Sequence, residues 1–289
     1  MKALIFGVAG QVGQALLASA PAGIEACGLA RNDVDLSNVD EIDAAVERHK
    51  PDIILNAAAY TAVDRAESDG ETAYLINSEA AGAIATASSR IGARMAHIST
   101  DFVFDGSTGK PYVPDDTPSP LGIYGASKAD GERRVLAAHP QSLIVRTAWV
   151  YADKGTNFVE TMLRIMARDG TVRVVADQVG SPTHAESLAR ALWKLAATDE
   201  CGIFHFTDAG VASWYDFAFE IGFLGEKYGL LTSCPDVIPI ATSDYPTPAP
   251  RPSYSVLDKS KTWALIGPGT HWRQELETMI QKKAGKIHG

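Results

Sequence analysis

Tyr124 and Lys128 stand four positions apart in the run Tyr124-Gly-Ala-Ser-Lys128. On a helix that spacing puts both side chains on one face. A phenol with a pKa of about 10 neither gives nor takes a proton readily at neutral pH. An ammonium beside it stabilises the phenolate and lowers that pKa. Reduction of a ketone needs a hydride on carbon and a proton on oxygen. In such chemistry Tyr124 would give the proton. Lys128 would tune Tyr124 and bond a nicotinamide ribose. Thr100, which closes the apolar run Met95 to Thr100, would donate a hydrogen bond to the carbonyl oxygen. Alone, the Tyr–Lys spacing describes many exposed helical pairs. It gains weight from a second motif near the start of the chain.

That motif is Gly7-Val-Ala-Gly10-Gln-Val-Gly13, placed between an apolar run and a helical pattern. The first glycine permits a tight turn, the second lets backbone approach a pyrophosphate, and the third lets helix and strand pack closely. The helix N-terminus then offers free N–H groups and partial positive charge to phosphates. Gly7, Gly10, Gln11, Val12 and Gly13 are therefore expected to cradle a dinucleotide. Asp33 and Asp35, about twenty positions on, are candidates for an adenosine ribose hydroxyl. Arg31 suits a 2′-phosphate instead. The choice between NADH and NADPH stays open at this point, leaning slightly to NADPH.

Alternating strand and helix patterns must position these groups. Strands are expected at Lys2 to Gly7, Glu25 to Ala30, Asp52 to Ala58, Met95 to Thr100 and Leu143 to Trp149. Helices are expected at Gln11 to Ser19, Val39 to His49, Glu71 to Ile91 and Tyr124 to Ala138. This order implies an α/β fold: a Rossmann-like, doubly wound parallel sheet with a smaller C-terminal substrate-binding domain. Ligands in such sheets bind outside the carboxyl ends of the strands, where the motifs fall. Residues 1–150 form the expected dinucleotide-binding domain, with returns to the sheet within about 170–208. Residues 151–169 and 209–289 form the expected smaller domain. It includes helices at Asn157 to Arg168, Trp214 to Tyr228 and Trp272 to Lys282. The stretch Tyr245-Pro-Thr-Pro-Ala-Pro-Arg-Pro252 reads either as a linker or as a ligand wall.

The 289 residues carry 26 basic and 35 acidic side chains, for a net charge of -9. That balance argues against a nucleic-acid binder held by phosphate neutralisation. No apolar run approaches the roughly 18 residues of a membrane span. Cys27, Cys201 and Cys234 are odd in number and widely spaced, as expected of reduced thiols in a cytoplasmic protein. The seven histidines show no ligand spacing, and no metal is expected. His97 and His205 lie in apolar strands and read as satisfied core residues.

The same residues resemble the extended short-chain dehydrogenase/reductase superfamily and, within it, the dTDP-4-dehydrorhamnose reductase family. Matching segments include Gly7 to Gly13, Asn56 to Asp64, Ser99 to Gly106, Tyr124 to Lys128, Arg146 to Tyr151, Asp177 to Thr183 and Tyr245 to Pro252. The resemblance implies reduction of the 4-keto group of dTDP-4-dehydro-β-L-rhamnose to dTDP-β-L-rhamnose, with NADPH or NADH. It implies catalytic roles for Thr100, Tyr124 and Lys128. It implies cofactor contacts at Gly10, Gln11, Val12, Asp35, Leu36, Ala59, Tyr60 and Thr61. Asp101 and Trp149 would meet the sugar, Asn157 is a further substrate contact, and Arg251 would pair with the substrate pyrophosphate. Phe102 stands where many members have Tyr. Some relatives are dimers bridged by Mg²⁺ through glutamates. Here Gln14-Ala15-Leu16 offers no carboxylate, and Glu186 alone is no site. A homodimer without metal remains one expected state.

Two rivals stand beside this reading. A dehydratase of the superfamily carries an Asp-Glu pair after the strand-end Thr, whereas Thr100 is followed by Asp101-Phe102. An epimerase would consume no reduced cofactor overall. From another class, a regulatory subunit of methionine adenosyltransferase resembles the same family without needing all of Thr100, Tyr124 and Lys128.

Overall fold

Short, mostly apolar runs become the strands of a central sheet, and the amphipathic runs between them become the helices that cover it. The computed structural model describes residues 1–288. The main sheet contains β1 (Lys2–Phe6), β2 (Glu25–Leu29), β3 (Ile53–Asn56), β4 (Arg94–Thr100) and β5 (Leu143–Thr147). The chain then makes β6 (Val150–Tyr151), β7 (Thr171–Val175), β8 (Val179–Gly180) and β9 (Thr183–His184) before β10 (Gly202–His205) joins the same sheet. Its order is β10-β5-β4-β3-β1-β2, and every pairing is parallel.

Alternate residues of β1 show how the layers form. Ala3 and Ile5 face α1 (Gln11–Ala18) and α8 (Ala185–Ala196), where Leu16, Leu188 and Leu192 close one core. Leu4 and Phe6 face the other side. There α2 (Val39–His49), α5 (Ala80–Arg90) and α6 (Ile123–Ala138) supply Ile42, Val46, Ile84 and Val135. Each such side chain withdrawn from water contributes roughly 1.5–3 kcal/mol. The chain leaves β1 for β2 on one side and returns to β3 on the other. The strand order therefore reverses at β1, which is where a doubly wound sheet opens a crevice.

The turn after β3 forms α3 (Val63–Ala66) and α4 (Gly70–Tyr74). The helix expected over Glu71 to Ile91 is interrupted: a π-helical turn, Leu75–Glu79, joins α4 to α5. It turns Asn77 into the interior, where that residue is fully buried.

The second half gathers α7 (Phe158–Asp169), α9 (Trp214–Lys227) and α11 (Trp272–His288) around a third core with Phe217, Leu276 and Trp272. Small sheets flank it: β7 pairs with β12 (Asp236–Ile240), β8 with β11 (Ala212–Ser213), and β6 with β9. A short α10 (Ser260–Ile266) lies between. Within 170–208, β10 returns to the main sheet and α8 covers it, but β7 does not return. Its partner is β12, in a separate two-stranded sheet. Among the described residues no helix is long and apolar enough to cross a membrane.

Candidate active site

The glycine turn sits where β1 ends. Gly7 has φ +80°, and a Cβ on it would lie 2.6 Å from the backbone of Ala58. A Cβ on Gly13 would run into the Gly7 carbonyl. Both glycines serve chain packing. Gly10 differs: it is exposed, and a Cβ there would meet only the Gly7 carbonyl oxygen at 3.3 Å. It caps α1 without a side-chain hydrogen bond, so the first N–H groups of that helix face outward. A phosphate fits this opening on both sterics and charge. Gln11 and Val12 are half-buried beside it.

Past β2, Asp33 closes its own turn by accepting from Ala30 N–H at 2.8 Å. Asp35 is exposed, and hydrogen bonds from the Ser37 backbone and hydroxyl hold its carboxyl below the usual range. Leu36 packs against the core of Leu4 and Phe6. Arg31 is exposed at the same rim. At the end of β3, Ala59 and Tyr60 are half-buried and Thr61 is exposed. Tyr60 N–H donates to Asn77 Oδ1 at 2.8 Å, and Asn77 Nδ2 donates to the Tyr60 carbonyl at 3.1 Å and to Ser127 Oγ at 3.0 Å. The π turn thus ties the loop carrying Ala59, Tyr60 and Thr61 to the helix carrying Tyr124 and Lys128.

Thr100 ends β4 and is buried. Its hydroxyl donates to Asp101 Oδ1 at 3.1 Å and accepts from Phe102 N–H at 3.2 Å. Helix α6 packs directly over this turn. A Cβ at Gly125 would strike the Phe102 carbonyl, which explains the glycine inside the Tyr–Lys motif. Phe102 meets Tyr124 edge to face, with ring centroids 5.6 Å apart. Contrary to the lowering expected from Lys128, burial pushes the Tyr124 phenol up to about 12; a hydrogen bond with Thr100 acts in the opposite sense and the charge of Asp101 adds to the rise. Burial also pushes Lys128 down to about 8 and Asp101 up to about 6. Lys128 Nζ donates to the Ile98 carbonyl at 2.6 Å. Thr100, Asp101, Tyr124 and Lys128 therefore converge at the carboxyl end of β4.

Trp149 is half-buried just past β5, with φ +47°. A bulky residue rarely takes that left-handed conformation, and such strain gathers at ligand sites. Stacking on Trp214, with centroids 3.6 Å apart, and close approach to Gly180 hold it there.

Two expected substrate residues have protein partners in the structure. Asn157 caps α7 by accepting from Glu160 N–H at 3.1 Å. Its Nδ2 donates to the Ala152 carbonyl at 2.8 Å and to Gln11 Oε1 at 3.1 Å. Arg251 grips Asp64 through two hydrogen bonds of 2.9 and 2.8 Å, and Thr247 Oγ1 at 2.7 Å. The Pro-rich stretch around it is a wall packed on loops at the sheet's carboxyl end rather than a spacer: Pro252 lies against Gly106, and Arg251 reaches α3.

Sequence reasoning assigned no site role to Asn77 or His97. Only the interrupted helix could have flagged Asn77. His97 is a buried core residue, as its apolar strand suggested, but its ring lies 3.3 Å from Lys128 Nζ.

The family model described as RmlD substrate binding domain matches residues 1–284. A dTDP-4-dehydrorhamnose reductase of Burkholderia thailandensis is 41% identical over 268 residues, covering 89% of this chain and 90% of the relative. The chain belongs to the dTDP-4-dehydrorhamnose reductase family. The spore coat polysaccharide biosynthesis protein SpsK of Bacillus subtilis, 40% identical, covers 98% of each chain. The solved structure of the family's Bacillus anthracis reductase, in complex with NADP, superposes with a TM-score of 0.91. It is 34% identical and covers 97% of this chain and 99% of that one. The doubly wound fold and the oxidoreductase class expected from the motifs thus hold.

Proposed function

We propose that this protein reduces the 4-keto group of dTDP-4-dehydro-β-L-rhamnose to dTDP-β-L-rhamnose, using NADPH or NADH with a lean to NADPH. The observation that carries the reading is the convergence of Thr100, Tyr124 and Lys128 beside an open glycine cradle, in a chain of this family. When bound, the reduced nicotinamide supplies the hydride. Gly10 and the α1 N-terminus hold its diphosphate, and Arg31 suits a 2′-phosphate. Thr100 and Tyr124 meet the carbonyl oxygen. With its pKa raised to about 12, Tyr124 enters the reaction as the protonated phenol, which is the form a reduction needs. Lys128 stands one turn behind it to restore that proton. Asp101 and Trp149 border the sugar. Arg251 would meet the diphosphate through donors it does not commit to Asp64, or by releasing Asp64.

In this reading, residues 1–150 serve the cofactor, and residues 151–169 and 209–289 serve the sugar nucleotide. The work is cytoplasmic, where Cys27, Cys201 and Cys234 stay reduced. A homodimer is compatible with it.

The test is absorbance at 340 nm with enzyme, either cofactor, and dTDP-4-dehydro-L-rhamnose generated in place. Oxidation that stops when the sugar nucleotide is withheld supports the reading and ranks the cofactors. A protein that binds dinucleotide but oxidises neither cofactor overturns it.

A further inference from the structure

His97 lies in the middle of β4, fully buried, yet both ring nitrogens have polar neighbours. Nδ1 is 3.1 Å from Asn56 Nδ2, and Nε2 is 3.3 Å from Lys128 Nζ. Asn56 ends β3 and is buried too. Its Oδ1 accepts from Ala58 N–H at 3.1 Å. That backbone donor can be met only by the amide oxygen, so the NH₂ end must face His97. Nδ1 is then the acceptor. Burial, followed by the charge of Lys128, pushes His97 well below its ordinary pKa, so the ring is neutral with its one proton on Nε2.

The Nε2–H group therefore points at Nζ. An ammonium has three donors and no lone pair, so it meets that N–H unfavourably. A neutral amine has a lone pair and can accept. We propose that Asn56 and His97 are positioning residues for Lys128: Asn56 fixes the tautomer of His97, and His97 favours the amine form of Lys128. This rests on the reductase reading above.

Tyr124 gives its proton to the new alkoxide and becomes phenolate. Lys128 ammonium restores it and becomes amine, and solvent reprotonates the amine. A neighbour that favours the amine makes the ammonium a stronger acid and quickens the second step. Burial also favours the amine, but the remaining polar groups around Lys128 do not. The Ile98 carbonyl accepts from either form. Glu132, one turn further along α6, favours the ammonium and is itself held by Arg146 at 2.7 and 2.9 Å. Tyr124, one turn earlier, is protonated, and the charge of Asp101 bears on Tyr124.

Two readouts test the relay. Nitrogen-15 NMR of histidine-labelled protein reads the tautomer without turnover. A neutral Nε2–H ring that does not titrate near its ordinary pKa is expected. An Nδ1–H ring, or an imidazolium at neutral pH, overturns the proposal. The second readout is the pH profile of kcat in Asn56→Asp. A carboxylate only accepts, so it draws the ring proton to Nδ1 and turns the Nε2 lone pair toward Lys128. The limb belonging to Lys128 should then move up by about one pH unit, a tenfold change in proton affinity. His97→Phe, which keeps an aromatic ring but loses both contacts, should move it the same way with KM unchanged. It serves if Asn56→Asp does not fold. A kcat scaled uniformly at every pH, with the limb in place, overturns the relay. If the protein reduces no sugar nucleotide at all, the tautomer still decides the inference separately from the function.

Discussion

Tyr124 owes its proton to its surroundings: half-buried beside Asp101, the phenol stays protonated far above neutral pH. Tyr124→Phe should lower kcat by roughly 10²–10⁴-fold, the usual worth of a positioned proton donor, while cofactor Kd holds. Near-normal turnover in single-turnover kinetics would remove Tyr124 from the mechanism. The glycines offer a second test, because their environments differ. Gly10→Val meets no more than one carbonyl oxygen within the fold, so the melting temperature should stay near the parent value. Its side chain would fill the phosphate opening, and cofactor affinity measured by fluorescence titration should fall about tenfold or more. An unchanged Kd would refute the cradle. Gly13→Val, by contrast, should fail to fold, since its Cβ collides with the Gly7 backbone. These residues were legible in the sequence because their chemistry depends on spacing within one turn or one helix face. Asn77 and His97 were not. Their partners Tyr60 and Lys128 lie 17 and 31 positions away, and no local pattern records such a meeting.

Among the elements, α3 is short but holds two larger ones. Glu67, just past it, accepts from Ile123 N–H at 2.8 Å and so caps α6, whose own N-cap Gly122 has no side chain. Asp64 within it holds Arg251 and accepts from Ala249 N–H at 3.2 Å, which fixes the Pro-rich wall. The Arg251 hydrogen bond is the main reason the Asp64 carboxyl lies below its usual range. Asp64→Asn should loosen the wall and leave α6 in place. A partly exposed pair of this kind is worth up to about 1 kcal/mol, so KM for the sugar nucleotide should change several-fold at nearly constant kcat. A proportional loss of kcat would place Asp64 in the chemistry instead. Sequence patterns revealed the β1 to β5 strands and the helices α1, α2, α6, α7, α9 and α11, which keep one clear period; in α2, Asn38 caps the start and Lys50 makes a left-handed stop. Strand β12 escaped notice because it is short and largely exposed, and Pro239 inside its apolar run argues against a strand. The π turn escaped because inserting one residue per turn leaves composition unchanged.

Across the whole molecule, the two halves meet through a buried polar joint. Asp208 follows β10 and accepts from His184 N–H at 2.8 Å and Ser187 Oγ at 2.5 Å. His184 in turn lies 3.4 Å from Glu275 on α11, which Arg190 of α8 also holds at 2.8 Å. Burial pushes Asp208 up to about 7 and, at the catalytic turn, Asp101 up to about 6. Both carboxyls start from 3.8 in the unfolded chain, so between these values the folded state binds more protons than the unfolded one. Their contribution is fully present below the unfolded pKa and is lost as pH rises through about 6 and then about 7. A shift of roughly three units at Asp208 is worth on the order of 4 kcal/mol. Urea unfolding should therefore give a higher midpoint near pH 5 than near pH 8, a range set by those two shifts. Asp208→Asn keeps one acceptor and cannot ionise, so it should flatten most of that slope while Asp101 supplies the remainder. A slope identical to that of the parent protein would mean that the joint between the halves carries a charged Asp208, and that its donors offset burial more fully than two hydrogen bonds usually do.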